Sequence, residues 1–269
     1  MNAATKKGIG AITIVLSVIG GVTLLGTAAT AAVAGVHRIG PQSGDDQVDA
    51  AGITDLDLEV HGAEVSIDFH DADTAELRVE GGSIRDWRLR RDGDELVVRG
   101  PRADFGWLGW WTPDWVRSED QRVTLVLPRS AAGLDADLTL NAGTLSADGE
   151  FGELDVTVNA GGLTLLGSAE SLDAELNAGR ADITLDGVDE ASYQVSAGRV
   201  DAELTGTAPR GVEIEVSAGA LNLTVPAAEY DLRRNVSAGS LDSELAEQRG
   251  SGNRISATVS AGSVNLREG

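Results

Sequence analysis

The chain has 269 residues, with 43 Asp or Glu against 21 Lys or Arg and a net charge of −22. An acidic body of that kind repels nucleic acid and anionic lipid headgroups, so neither is expected as a partner. The absence of cysteine excludes disulfides, thiolate metal centres and a lipid-modified cysteine, and three histidines (His37, His61, His70) give a Ser-His-Asp triad little to build on.

The chain opens with Lys6 and Lys7, followed by a stretch from Gly8 to Val36 that carries no charge. About 20 apolar residues suffice to cross a bilayer, so residues 1–40 are expected to be a short cytoplasmic tail and one transmembrane helix. A secretory signal peptide cleaved after Ala32-Val33-Ala34 is the alternative, although its apolar core would be unusually long. Both place the remainder outside the cytoplasm. All acids lie after residue 44, leaving that remainder with 18 Arg and a net charge of −25. Residues 41–49 are expected to form a linker.

Alternation of apolar and polar residues begins with Leu56, Leu58 and Val60, crosses His61-Gly62-Ala63, and resumes at Val65, Ile67 and Phe69. Period-two alternation marks half-buried strands. Further strands are expected at Leu77–Val79, Trp87–Leu89, Leu96–Val98 and Val123–Leu127, with a turn at Asp92-Gly93. Residues 50–128 are therefore taken as an N-terminal cap with degenerate repeats. They also carry four of the five tryptophans, Trp107, Trp110, Trp111 and Trp115, in one short segment. So apolar a cluster is either folded down as a lid or a contact for a partner, with insertion at the lipid headgroup layer a third option.

From residue 129 to 269 the chain is a regular array. The tripeptide [Asn/Ser]-Ala-Gly recurs at Asn141, Asn159, Asn177, Ser196, Ser217, Ser237 and Ser260, ending in Gly143, Gly161, Gly179, Gly198, Gly219, Gly239 and Gly262. The intervals are 18, 18, 19, 21, 20 and 23 residues. Each tripeptide stands between two apolar-x-apolar runs, such as Val156-Thr157-Val158 and Leu163-Thr164-Leu165. The inward phase slips by one residue at the glycine, which therefore marks a bend. The alanine is expected on the inside of that bend. A unit of two short strands cannot bury its own apolar face, whereas stacked units can. The expected fold is all-β, a β-solenoid of stacked strand repeats with glycine corners, whose Asn side chains form an amide ladder continued by a serine column.

Little in this pattern carries chemistry. The acids alternate with apolar residues, as in Asp135-Ala136-Asp137-Leu138, and so belong to a solvated face. Solenoid lyases and hydrolases concentrate Asp with Lys, Arg or Glu on one face, but this chain has no Lys after Lys7 and scattered Arg, with Arg180 and Arg199 equivalent in consecutive copies. No catalytic residues, cofactor or metal are expected, and the polar corners are expected to be structural.

The serial small-residue-Gly corners, together with Val123-Thr124-Leu125-Val126-Leu127-Pro128, resemble the bacterial candidate-adhesin β-strand-repeat domains, a membrane-anchored family of uncharacterised function. The resemblance spans about residues 50–266. In that family the corner is commonly Ser-Gly-Asp, whereas here Ala-Gly is followed by Thr, Gly, Arg, Ala or Ser, so no role of the Asp carries over. The resemblance implies an adhesin-like, non-enzymatic surface protein that binds an envelope protein or glycan. The alternative is an envelope-stress or signalling accessory; because Met1–Lys7 is too short to signal, it would act with a separate membrane partner.

Overall fold

Alternating apolar and polar residues become strand through almost the whole of the repeat region. The computed structural model describes residues 43–101 and 121–269, all within the unit Gly40–Gly269. These form sixteen strands: β1 (Ser43–Asp49), β2 (Asp55–His70), β3 (Thr74–Glu80), β4 (Arg88–Asp92), β5 (Glu95–Arg99), β6 (Arg122–Pro128), β7 (Leu134–Val158) and β8 (Gly162–Leu176); then β9 (Arg180–Asp186), β10 (Glu190–Val195), β11 (Arg199–Thr205), β12 (Gly211–Val225), β13 (Glu229–Val236), β14 (Gly239–Ser243), β15 (Ala246–Glu247) and β16 (Asn253–Glu268). The expected all-β class holds for these residues.

Each repeat has a leading segment before its corner and a trailing segment after it. Trailing segments pair in parallel register, Thr144 with Gly162, Gly162 with Arg180, Arg180 with Arg199 and Arg199 with Ala220. Leading segments pair likewise, Leu172 with Ala191 and Ala191 with Val212. Strand β2 is the earlier copy expected at His61-Gly62-Ala63: it lies parallel to β7, with Leu58 opposite Leu138 and Val65 opposite Leu145. Its other edge receives β5 beside the leading segment and β6 beside the trailing one. Antiparallel strands β4, β3 and β1 then close that end.

The core is a set of apolar columns. Leu138, Leu140, Leu145 and Ala147 are buried in one copy, and Tyr193, Val195, Val200 and Ala202 in another, so the inward phase slips by one residue across each corner. Sustained burial of that kind supplies most of the driving force for folding.

Two expectations are corrected, and a third finding concerns the order of the copies, on which the sequence pattern is silent. The supposed linker 41–49 contains β1, which pairs with β3 through seven register positions. Only Val48 of β1 packs on the core, because an edge strand wetted on both faces has no reason to alternate. Second, the corner alanines point outward: Ala142, Ala160, Ala178, Ala197, Ala218, Ala238 and Ala261 are all exposed. The residue forced to be small is the glycine. At Gly179, φ is 120°, and a Cβ there would overlap the carbonyl oxygen of Gly161; the corner glycines continue this stack through Gly198, Gly219, Gly262 and Gly239.

Third, the last two copies exchange places. Strand β12 pairs with β16, not with β13, and β16 in turn pairs with β13 and β14. The spatially terminal copy is thus the penultimate one in sequence. It is built for that position: Arg234 stands opposite the buried Ala257, where other copies have an apolar residue, and pairs with Glu247 of β15. An inward-facing charge on an edge strand discourages further stacking.

Candidate functional site

At the corners, the side chains preceding Ala-Gly are brought into line. Asn177 Nδ2 donates to Asn159 Oδ1 at 3.1 Å and Asn159 Nδ2 to Asn141 Oδ1 at 3.0 Å. Asn141 Nδ2 lies 3.2 Å from His61 Nε2, which is also 3.2 Å from Glu59 Oε1. Beyond Asn177 the backbone continues the column, with Ser196 N–H donating to Leu176 C=O and Ala218 N–H to Ser196 C=O. Among the described residues no hydroxyl bond joins Ser196, Ser217, Ser260 and Ser237. Gly143, Gly161, Gly179, Gly198, Gly219, Gly262 and Gly239 form the floor beneath these residues.

Outward positions of the leading segments make an acidic face. Asp57 stands opposite Asp137, and Asp155 opposite Asp173, with Asp155 beside Asp137 in the intervening step. At a rung spacing of about 4.8 Å these carboxylates repel one another. Burial first, and then Asp57 and Asp155, push the Asp137 carboxyl above its ordinary value. Burial and the carboxylates of Asp155, Glu175 and Glu213 do the same for Asp173, against a hydrogen bond from Ser192. At the capped end Arg99 pairs with Asp57 and lies 3.4 Å from Glu59.

The trailing segments present a different surface. Three residues after the corner position run Thr124, Ser66, Ser146 and Thr164, with Ser66 Oγ donating to Thr124 Oγ1 at 3.2 Å. One residue after the corner, on successive strands, stand Arg122, Glu64, Thr144, Gly162, Arg180 and Arg199, so the trough is lined by the Glu64 carboxylate as well as by arginine. Because Gly162 has no side chain, the face dips there into an open trough of about 300 Å³, bounded by Arg122 at one end and Arg180 at the other. Arg122 is engaged by Glu64 at 3.4 Å and Glu80 at 3.9 Å. Arg180 and Arg199 are exposed and make no ion pair among the described residues. The hydroxyl column and the trough were passed over in the sequence, although aligning the copies on their glycines would have shown both.

Trp107, Trp110, Trp111 and Trp115 lie outside the described residues. What the structure does fix is where their segment is attached. Gly100 N–H donates to Glu59 C=O, and Glu64 N–H donates to Gln121 C=O, so the chain leaves and re-enters at the corner beside His61. Among the described residues no group of three or more His, Asp or Glu could hold a metal ion.

Parallel repeats stacked through glycine corners, with polar columns on two faces, define an all-β repeat protein. The chain belongs to the Toastrack DUF4097 family, whose model matches residues 53–268. No curated protein matches it. Among solved structures it is similar to a candidate cell adhesion protein from Clostridium sporogenes, at 13% identity over 85% of this chain and 100% of that one, with a TM-score of 0.32. A candidate adhesin from Bacteroides fragilis shows 10% identity over 84% of this chain and 98% of that one, with a TM-score of 0.35. A candidate lipid binding protein from Parabacteroides distasonis shows 11% identity over 84% and 97%, with a TM-score of 0.33. Likenesses this distant carry no inference about activity.

Proposed function

We propose that this is a membrane-anchored, surface-exposed, non-enzymatic β-repeat protein, adhesin-like in that it binds a protein or glycan of the cell envelope. The observation that carries the proposal is the pair of outward faces. Each repeats one polar position after another on rigid strands, which is a geometry for recognising something extended. The architecture that accompanies this reading is a β-solenoid, supported by the parallel, in-register pairing of the copies.

The anchor is argued from sequence. Gly8–Val36 is long enough to span, and Lys6 and Lys7 favour a cytoplasmic N-terminus. That run lies outside the described residues, among which no helix is long and apolar enough to cross a membrane. Trp107, Trp110, Trp111 and Trp115 are assigned to partner contact, since aromatic side chains give large contact area at low entropy cost.

The test is retention of the intact protein, in detergent, on washed cell-envelope material, beside a Trp110→Ala, Trp111→Ala variant. Retention is expected for the parent and loss for the variant with an unchanged thermal midpoint. A parent that passes through unretained would sink the binding reading. Protease treatment of intact cells should remove the repeats and spare the N-terminus; a soluble chain beginning near Gly35 would replace the anchor with a cleaved signal peptide.

A further inference from the structure

We infer that the trough on the trailing-segment face is a seat for an extended, hydroxyl-rich polyanion, with Arg180 and Arg199 taking its carboxylate or phosphate groups. This rests on the reading of the array as a partner-binding surface and names the chemical class of the partner.

Arg180 and Arg199 are direct register partners on neighbouring strands β9 and β11. Like charges directly opposite each other destabilise a sheet, and neither arginine has an ion pair among the described residues to offset that cost. Nothing in the packing requires them, because both side chains are exposed and follow the corner rather than the core. In a chain of net charge −22, two adjacent unpaired cations are where an anion can approach. Guanidinium groups also match carboxylate and phosphate in a two-pronged geometry that Lys does not offer.

The rest of the trough suits the body of such a ligand. Ser66, Ser146 and Thr164 offer hydroxyls on successive rungs, about 4.8 Å apart. Gly162 leaves the floor open between them and Arg180. From Arg122 to Arg180 is four rungs, or about 19 Å, so the seat is longer than a single small anion needs. Asp182 and Asp201 stand two residues beyond the arginines on the same face, and Asp201 accepts from Asn222 Nδ2 at 2.5 Å. They confine the anionic group to the corner side and point the neutral part of the ligand along the hydroxyl column. Single-stranded DNA supplies the phosphates but, without 2′-hydroxyls, has no chain of hydroxyls to lie along Ser66, Ser146 and Thr164, so a hydroxyl-rich polyanion is preferred over it.

The experiment measures binding of the full chain to polygalacturonate, poly(glycerol phosphate), dextran and single-stranded DNA, at low and high salt. At least one of the first two is expected to bind, more weakly in high salt. Preference for the first or second identifies a carboxylated or a phosphorylated source. The Arg180→Ala, Arg199→Ala variant should lose about tenfold or more in affinity without losing thermal stability. Gly162→Leu keeps every charge and fills the trough; a Cβ at Gly162 would stand at an ordinary 3.5 Å from Thr144, so the backbone accommodates it, and binding should fall. The inference is overturned if neither anionic polymer binds, if dextran or DNA binds as well as they do, or if both variants bind like the parent. Envelope retention of the parent separates the two levels: retention without binding to either polymer removes only the ligand class, whereas no retention removes the reading beneath it.

Discussion

Two buried tyrosines make opposite predictions. Tyr193 lies in the core with its hydroxyl unpaired, and burial drives its titration far above the ordinary range. Tyr230 is as fully buried but donates to Pro226 C=O at 2.7 Å. An unpartnered buried hydroxyl costs about 1–3 kcal/mol, whereas a satisfied one contributes about 1 kcal/mol. Tyr193→Phe should therefore raise the urea midpoint and Tyr230→Phe lower it; equal effects would mean that the Tyr193 hydroxyl has found a partner. The corners give a second contrast. Gly179→Ala forces a side chain into positive φ and onto the Gly161 carbonyl, and should cost at least about 2 kcal/mol. Ala178→Leu points outward and should change stability by less than about 0.5 kcal/mol, measured by the same denaturation. The glycine was legible because only a bend explains a one-residue phase slip between Val195 and Val200. The outward alanine was not, because counting by twos carries straight through a backbone that has already turned.

At the level of strands, the acidic leading face predicts how stability responds to pH. Asp137 and Asp173 are held above their ordinary values, so the folded state binds protons more readily than the unfolded chain there. Their protonation stabilises the fold at acid pH, and that contribution is lost as pH rises through the folded values. Glu76, held low by Arg78, acts in the opposite sense: its contribution is present at higher pH and lost on acidification. Asp137→Asn and Asp173→Asn should each raise the thermal midpoint at neutral pH, by less than about 1 kcal/mol of stability given their partial exposure, and the gain should shrink toward pH of about 4 and in high salt. Thermal melts across that pH range check it; a gain that grows on acidification would contradict the repulsion. Alternation made β2, β3, β5, β6 and the array strands legible. It could not reveal β1, whose Ser43-Gly44-Asp45-Asp46-Gln47-Val48-Asp49 has one apolar side chain and exists because β3 offers it an edge.

For the array as a whole, what remained hidden was the order of its last members. Copies around Ser237 and Ser260 share the same local pattern, and local pattern cannot say which of two similar strands lies against β12; Arg234, at an inward position, was the one hint that its copy belongs at the end. The exchange is directly testable because the chain contains no cysteine. Asn222 and Asn265 are register partners, and Asn265 separates Asn222 from Asp242. Oxidation should close a disulfide in the Asn222→Cys, Asn265→Cys variant, whose Cα atoms lie about 5 Å apart, and fail in Asn222→Cys, Asp242→Cys, at about twice that distance. The reverse result would restore sequence order. Synthesis runs from the N-terminus, so β13 and β14 leave the ribosome before the strand that will lie beneath them exists. The growing chain must either hold a place open one rung wide or let β13 rest on β12 and later be lifted away. Either way β13 reaches its final place only after the 16-residue strand β16, made later, has paired with β12.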